Sequence, residues 1–172
     1  VRNTRGLHIA CVAPILTYLR NPLSTDTPTE QRLTPACFMP DKPLPSSIGG
    51  AADLLRISFD TLTPSCVEAH MPVTPDHHQP FGQLHGGVSV VLAESAASVG
   101  GYLAAPNGKT AVGVEINANH VRSVSDGTVY AVAEPLHVGT STQVWGVKIR
   151  DAADRLICVS RCTLAVIPMS DS

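Results

Sequence analysis

One helix, in a chain that otherwise favours β-strands, most constrains the fold of this 172-residue sequence. Residues 79–98 read QPFGQLHGGVSVVLAESAAS, a turn-rich loop followed by a helical pattern with one acidic residue, Glu94. Three alanines keep this helix thin, which suits close packing against a sheet. The apolar or small residues that recur at helical spacing are Val88, Val91, Leu92, Ser95 and Val99. We therefore expect a single helix, from about residue 86 to 105, packed on β-structure.

The two ends of the helical stretch carry different chemistry. Gly86 and Gly87 leave backbone N–H groups free at the helix N-terminus, where the dipole favours a developing negative charge. Glu94 lies on the flank of the apolar stripe, with Ser98 one turn further along the same edge. An anion-stabilising turn and an embedded carboxylate are typical parts of an active site.

The separation of these two parts predicts an assembly of at least two copies. Gly86 and Glu94 are eight residues apart, which on one helix is about 12 Å at a rise of 1.5 Å per residue. A nucleophile or base and an oxyanion donor must both come within about 3 Å of the reacting group. Two antiparallel copies satisfy this, with Gly86 of one subunit facing the carboxylate of the other.

The rest of the patterned sequence predicts strands. Turn residues separate the segments, and in the fifth of them Trp145, Val147 and Ile149 alternate with polar neighbours and are expected to face inward. Two strands, one long helix and four strands make an α+β fold, with the sheet wrapped around the helix. The predicted strands are 56–62, 67–73, 110–121, 127–135, 142–150 and 156–167.

Composition divides the chain and excludes several classes of protein. Residues 1–47 are rich in proline and lack periodicity, so we expect a poorly ordered extension, a single domain over 48–168 and a tail at 169–172. A net charge of −2 and 4% aromatic residues argue against nucleic-acid binding. We expect no membrane span, because no apolar run approaches the roughly 18 residues that one needs.

Cysteine and histidine usage points to a cytoplasmic protein without a metal. The five cysteines are scattered and form no C-x-x-C pair, which indicates reduced thiols in a cytosolic compartment. His77, His78 and His85 are the residues that could suggest a metal, but no carboxylate or cysteine completes a ligand set at a sensible spacing.

Three segments together resemble a known family. QPFGQLHGGVSVVLAES, VGVEINANHVRSV and PLHVGTSTQVW are similar to the hotdog-fold acyl-CoA thioesterases of the 4-hydroxybenzoyl-CoA thioesterase type. The similar branch includes the 1,4-dihydroxy-2-naphthoyl-CoA hydrolases of menaquinone synthesis, and the resemblance covers about residues 48–167. It implies homodimers that share a continuous sheet, usually paired into homotetramers, with active sites at the dimer interface.

The resemblance also assigns roles to residues of the central helix and the loop before it. Glu94 matches the family's catalytic carboxylate, which either attacks the thioester carbonyl or activates a water. The N–H of Gly86 matches the oxyanion donor. His85 and Gln79 match residues that orient the thioester and the water, and Ser98 matches a hydroxyl that assists water positioning.

A second group of residues matches positions along coenzyme A, which would be part of the substrate rather than a separate cofactor. His120 and Arg122 resemble residues at the mouth of the site, and an arginine suits phosphate by charge and geometry. His137 and Gly139 fall in a segment that also lies along coenzyme A in such enzymes. Thr140 departs from the pattern, because family members often have a basic residue there.

Two other functions compete with hydrolysis of a thioester that carries an aromatic acyl group. A hotdog dehydratase or hydratase pairs a histidine with an acidic residue for acid–base work on the acyl chain, but the spacing from His85 to Glu94 fits thioesterases better. A non-catalytic acyl-CoA sensor would leave Glu94 without a role. The sequence also has no helix-turn-helix pattern that a DNA-binding sensor would need.

Overall fold

The computed structural model describes residue 42 and residues 49–169. The predicted extension, apart from Lys42, and residues 170–172 lie outside the described residues. Within these limits the predicted order of six strands and one long helix is confirmed. A short first helix and a 3-10 turn at Pro75–His77 add to it. The elements are α1 (Gly50–Leu54), β1 (Ser58–Thr63), β2 (Cys66–Val73), α2 (Gly86–Ala104), β3 (Lys109–His120), β4 (Gly127–Val138), β5 (Thr142–Asp151) and β6 (Leu156–Pro168).

The six strands form one antiparallel sheet in the order β1-β2-β4-β5-β6-β3. Hairpins join β1 to β2, β4 to β5 and β5 to β6, whereas α2 carries the chain from β2 to the opposite edge of the sheet. The helix contacts every strand of the sheet. This is the α+β hotdog fold that the sequence predicts, and it leaves β3 as an open edge.

The strand β4 is longer than predicted. It continues past Pro135 to Val138, with a register shift against β5 between Pro135 and His137. Proline lacks the N–H that a ladder hydrogen bond needs, so a strand accommodates it at such an irregularity and then resumes. The sequence pattern placed the end of the strand at this proline, and pairing with β5 overrides that signal.

The face that α2 turns to the sheet is made mostly of small residues. Ala93, Ala96 and Ala97 are fully buried together with Leu92. Val88, at the start of the predicted stripe, is only half-buried. The buried face is therefore centred on the alanine row, where small side chains let the sheet come closest, and of the valines in the predicted stripe Val99 is buried with it.

The length of α2 alone would allow it to cross a membrane. It has 19 residues and high mean hydropathy, although the sequence pattern had suggested no apolar run of that kind. Half of that stretch is buried against the sheet of the same domain, and the buried face holds the core residues of the fold. The helix is therefore the core helix of the domain.

A buried polar network joins α2 to β5. Gln143 and Trp145 are both completely buried; Trp145 Nε1 donates to Gln143 Oε1 at 2.9 Å, and Gln143 Nε2 donates to the carbonyl of Gly101 at 3.2 Å. A Cβ at Gly100 would lie 2.6 Å from the Trp145 ring, so this glycine lets the indole fit beneath the helix. The inward alternation predicted for β5 is confirmed, whereas the role of Gln143 was not predicted.

Replacing Gln143 with leucine is expected to lower the free energy of unfolding by about 2–3 kcal/mol, because the buried Trp145 N–H then has no acceptor. Urea titration followed by the fluorescence of Trp145, the single tryptophan of the chain, measures the loss. Lys148→Met, at an exposed position on the same strand, is the matched control. A loss no larger than that of the control would show that the network does not hold the helix on the sheet.

Lys42 contacts the C-terminal end of α2. Its Nζ donates to the carbonyls of Tyr102 at 2.9 Å, Ala105 at 3.4 Å and Lys109 at 2.6 Å. The same ammonium group lies 4.1 Å from the centre of the Tyr102 ring. A positive charge at a helix C-terminus satisfies free carbonyls and complements the helix dipole. This residue, which falls inside the predicted extension, therefore helps to fix the end of the core helix.

Candidate active site

The start of α2 leaves one backbone donor free. His85 is the N-cap residue, and its Nδ1 accepts from the N–H of Gly87 at 2.9 Å. The carbonyl of His85 accepts from Val88 at 3.0 Å and from Ser89 at 3.3 Å. Among the described residues, Gly86 is the member of this first turn whose N–H has no acceptor. The helix N-terminus thus offers a single directed donor, at the position predicted for an oxyanion contact.

The hydrogen bond to His85 also defines its tautomer. Because Nδ1 accepts a backbone N–H, the neutral ring carries its proton on Nε2. The side chain is exposed, so Nε2–H is available to donate to a bound group. The main-chain N–H of His85 donates to the carbonyl of His77 at 2.9 Å, which fixes the position of the residue.

The loop before the helix is tightly bonded and presents an aromatic residue. Gln79 N–H donates to the carbonyl of Gln83 at 2.8 Å, and the Gln79 carbonyl accepts from Gly82 at 3.0 Å. The side-chain Oε1 of Gln79 accepts from the N–H of Phe81. This leaves the amide N–H₂ of Gln79 as the group that can contact a ligand. Phe81 is 87% exposed at the tip of the loop.

A buried histidine supports this loop. His77 is 1% exposed, and its Nδ1 accepts from the N–H of Thr74 at 3.2 Å within a capping box. Its carbonyl is the acceptor that holds His85 in place. The sequence pattern suggested His77 only as a possible metal ligand. Its supporting position depends on a contact between the turn and the helix N-terminus, which the local pattern does not encode.

Glu94 lies in the middle of α2, half-buried, and faces β3. A Cβ built on Gly113 of β3 would lie 2.5 Å from Glu94 Oε1, so the carboxylate rests against this glycine. Among the described residues, no hydrogen bond donor contacts the carboxylate. Ser98, one turn further along, is also half-buried. The carboxylate is therefore free to act on a ligand at the open edge of the sheet.

A buried thiol lies within the electrostatic reach of this carboxylate. Burial, together with the negative charges of Glu94 and Glu115, raises the pKa of Cys162 to about 11. The thiol consequently stays protonated at neutral pH and is a poor nucleophile. Cys158 is a second buried cysteine on the same strand, and neither thiol forms a disulfide.

A cavity of about 410 Å³ opens at the N-terminal end of the helix. The ring of His120 lies against Gly86, since a Cβ there would be 2.9 Å from His120 Nε2. The structure thus brings together four residues that the sequence singled out, and it adds the buried Ser89 of the first helical turn. The predicted residues that line the cavity are Gln79, Gly86, His120 and Arg122.

The predicted residues that lie away from this cavity are Glu94, Ser98, His137 and Gly139. His120 is opposite Cys158, at the start of β6, whereas His137 and Gly139 lie at the opposite end of the sheet, where β4 turns into β5. Glu94 is not part of the cavity lining either. A single protomer therefore separates the two predicted coenzyme A segments, and it separates the carboxylate from the oxyanion donor.

The described part of the chain contains no group of three His, Cys, Asp or Glu side chains placed to hold a metal ion. The protomer offers a free backbone N–H, an imidazole N–H, an amide and a guanidinium around the cavity, and a carboxylate further along α2. These groups fit the stabilisation of an oxyanion and the attack on a carbonyl.

Fold and site together define a hotdog-fold thioesterase. The sequence profile of the thioesterase superfamily matches residues 81–158. The chain is 50% identical over 119 residues to the 1,4-dihydroxy-2-naphthoyl-CoA hydrolase of Escherichia coli, covering 69% of this chain and 88% of that protein. It therefore belongs to the thioesterase superfamily and is a thioester hydrolase by family.

Two further relatives extend the comparison. The proofreading thioesterase EntH of Cronobacter turicensis is 44% identical over 122 residues, which is 71% of this chain and 89% of EntH. The crystal structure of a thioesterase from Haemophilus influenzae superposes with a TM-score of 0.69 at 46% identity. It covers 72% of this chain and 87% of that one.

Proposed function

We propose that this protein hydrolyses an acyl-CoA thioester with an aromatic acyl group, in active sites that two copies of the chain build together. The observation that carries the proposal is the position of the two catalytic parts on α2. The free N–H of Gly86 is at the start of the helix, whereas Glu94 is at Gly113, under the open edge of the sheet. A second copy at that edge supplies the missing half of each site.

The edge strand β3 supports this assembly. Val112 and Val114 are 39% and 65% exposed, and an unpaired edge with apolar side chains is a template for pairing. Antiparallel pairing of β3 with its copy around a two-fold axis would continue the sheet and reverse the direction of the second helix. Glu94 of the partner subunit would then approach Gly86, and Gly139 of the partner subunit would approach His120.

The chemistry follows from the groups that meet in such a site. The thioester carbonyl oxygen accepts from the Gly86 N–H, and His85 Nε2–H and the Gln79 amide orient the carbonyl and the water. Glu94 of the partner subunit then attacks the carbonyl carbon directly, or it takes a proton from an attacking water. Either route breaks the C–S bond, and coenzyme A leaves as a thiolate that takes up the proton lost by the water. After direct attack, water must also hydrolyse the mixed anhydride on Glu94 to release the acid, and we expect Ser98 to help position that water.

Coenzyme A would leave the site past His120 and Arg122. Both side chains are exposed and line the cavity that begins at Gly86. A guanidinium binds phosphate through two parallel hydrogen bonds, which makes Arg122 the expected phosphate ligand. His137 and Gly139 would join them only across the dimer interface. Coenzyme A is thus bound as part of the substrate.

Two wider assignments belong to the same proposal. The names of the relatives favour a bicyclic aromatic acyl group. The first candidate substrate is 1,4-dihydroxy-2-naphthoyl-CoA, an intermediate of menaquinone synthesis in the cytoplasm.

A homotetramer is expected because the outer face of the sheet carries an apolar groove of about 310 Å³. Leu136, which is 65% exposed, lies in that groove.

A panel of acyl-CoAs tests the function directly through the release of free thiol. We expect kcat/KM for benzoyl-CoA and 1,4-dihydroxy-2-naphthoyl-CoA to exceed that for acetyl-CoA by at least about tenfold, a difference of 1.4 kcal/mol in transition-state binding. Hydration of 2-enoyl-CoA, read as loss of enoyl absorbance, is the parallel assay for a hydratase. If the protein released free thiol from none of the acyl-CoAs but still bound coenzyme A, the result would contradict the proposal and favour a sensor.

A further inference from the structure

We infer that Gly113 is a positioning residue for the catalytic carboxylate: the absence of a side chain there creates the space in which Glu94 Oε1 lies. The inference rests on the proposed function, because it concerns how the carboxylate is aimed. It identifies a residue of β3, outside the helix and the loop, on which the turnover rate depends.

The contact itself is close. A Cβ on Gly113 would be 2.5 Å from Glu94 Oε1 and 3.6 Å from its carboxyl carbon. Real Cβ atoms do not approach an oxygen so closely, so any side chain at position 113 moves the carboxylate. The atom that moves is the far end of a flexible side chain, which makes the displacement cheap for the fold. Activity is therefore expected to suffer more than stability.

The backbone does not account for a glycine at this position. Gly113 is not among the residues with positive φ, unlike Gly82, Gly108 and Gly127, so any residue could adopt its conformation. Glycine inside a strand weakens the strand, and it is found where another group approaches closely. The group that approaches Gly113 is the Glu94 carboxylate.

The strand is irregular at the same point. The pairing of β3 with β6 shifts between Gly113 and Glu115, which are opposite Leu164 and Thr163. A β-bulge bends its strand locally and re-aims the neighbouring groups, and bulges are frequent beside active sites. This bulge lies at the open edge, where the proposed second copy would bring its helix N-terminus.

Contacts other than hydrogen bonds hold the carboxylate. No described residue donates a hydrogen bond to it, and the charged neighbour that it shares with the Cys162 thiol is another carboxylate, Glu115. The surface of Gly113 is consequently a contact that limits where Oε1 can lie. A shift of about 1 Å in a reacting group can lower turnover about a hundredfold.

Gly113→Ala is expected to reduce kcat by about ten- to a hundredfold with little change in KM, because the carboxylate moves while the coenzyme A contacts stay. The thermal midpoint should fall no further than in Gly146→Ala. That control places the same methyl group in β5, where it meets Leu136 at 3.4 Å, an ordinary contact. Gly146→Ala should retain wild-type turnover.

Combining Gly113→Ala with Glu94→Asp separates positioning from a structural role. Aspartate is shorter by one methylene, so its carboxylate avoids the new methyl group, and the double variant should turn over faster than Gly113→Ala alone. In the wild-type background Glu94→Asp should slow turnover. If Glu94→Asp lowers turnover in the wild-type protein but raises it in Gly113→Ala, the two residues are sterically coupled.

The results that would overturn the positioning role of Gly113 differ from those that would refute the proposed function. A wild-type protein that hydrolyses no acyl-CoA would refute the proposed function. An active wild type with unchanged kcat in Gly113→Ala would overturn the positioning role alone. A Gly113→Ala protein that loses both activity and thermal stability, with no recovery from Glu94→Asp, would also overturn it, because the glycine would then serve only the bulge.

Discussion

Replacing Glu94 with glutamine is expected to lower kcat about a thousandfold, within the range that a positioned general base or nucleophile contributes. The amide has nearly the same shape as the carboxylate, so the fold and the binding of coenzyme A should be retained. Steady-state thiol release gives kcat and KM, and calorimetric titration with coenzyme A gives the affinity. The loss should therefore appear in kcat.

Glu115→Gln is the matched control for this substitution. Glu115 is a second carboxylate close enough to raise the pKa of the Cys162 thiol, and it is exposed on β3. Its replacement removes the same charge from the same region and should leave kcat within about twofold, since surface charges act weakly. If both variants lost activity equally, the effect would come from the local charge, and Glu94 would not be the catalytic group.

The second large effect is expected from mixing two inactive proteins. Gly86→Pro removes the proposed oxyanion donor and keeps the helix, because proline is tolerated at the first helical position. The preceding His85 already has the extended ψ of 130° that a following proline requires. The exposed His120 ring must move aside for the new side chain. Gly86→Pro and Glu94→Gln should each be almost inactive alone.

After subunit exchange, a mixed dimer would contain one intact site and one site with both substitutions. Random mixing makes half of the dimers mixed, so activity should return to about a quarter of the wild-type value. Activity measured before and after co-refolding, with mixed dimers counted by native mass spectrometry, gives the result. Mixed dimers without recovered activity would place both catalytic groups in one protomer and exclude the composite site.

The parts of the fold that could be predicted are those with a local signal. The start of α2 at Gly86 follows from the glycine pair, and the hairpins follow from turn residues between alternating segments. The inward side of β5 was predicted correctly because alternation alone decides which residues face the helix. The same local signals failed at Pro135, where pairing with a neighbouring strand lets β4 continue.

The parts that could not be predicted depend on contacts between distant segments. The burial of Gln143 is satisfied by a carbonyl of α2 that is 42 residues away in sequence, and a glutamine in an alternating strand looks like an ordinary surface residue. Gly113 looks like a weak point in a strand until the helix brings a carboxylate against it. The sequence around His77, which is followed by His78, did not indicate its supporting role. Such roles are properties of the packed chain.

The Lys42 contact has a consequence for how this protein is shortened or tagged. Because the ammonium group of Lys42 binds three carbonyls around the end of α2, a protein trimmed to the start of the patterned sequence would leave those carbonyls to water. The practical boundary of the enzyme is therefore upstream of Lys42, which is itself six residues before position 48, where the predicted domain begins.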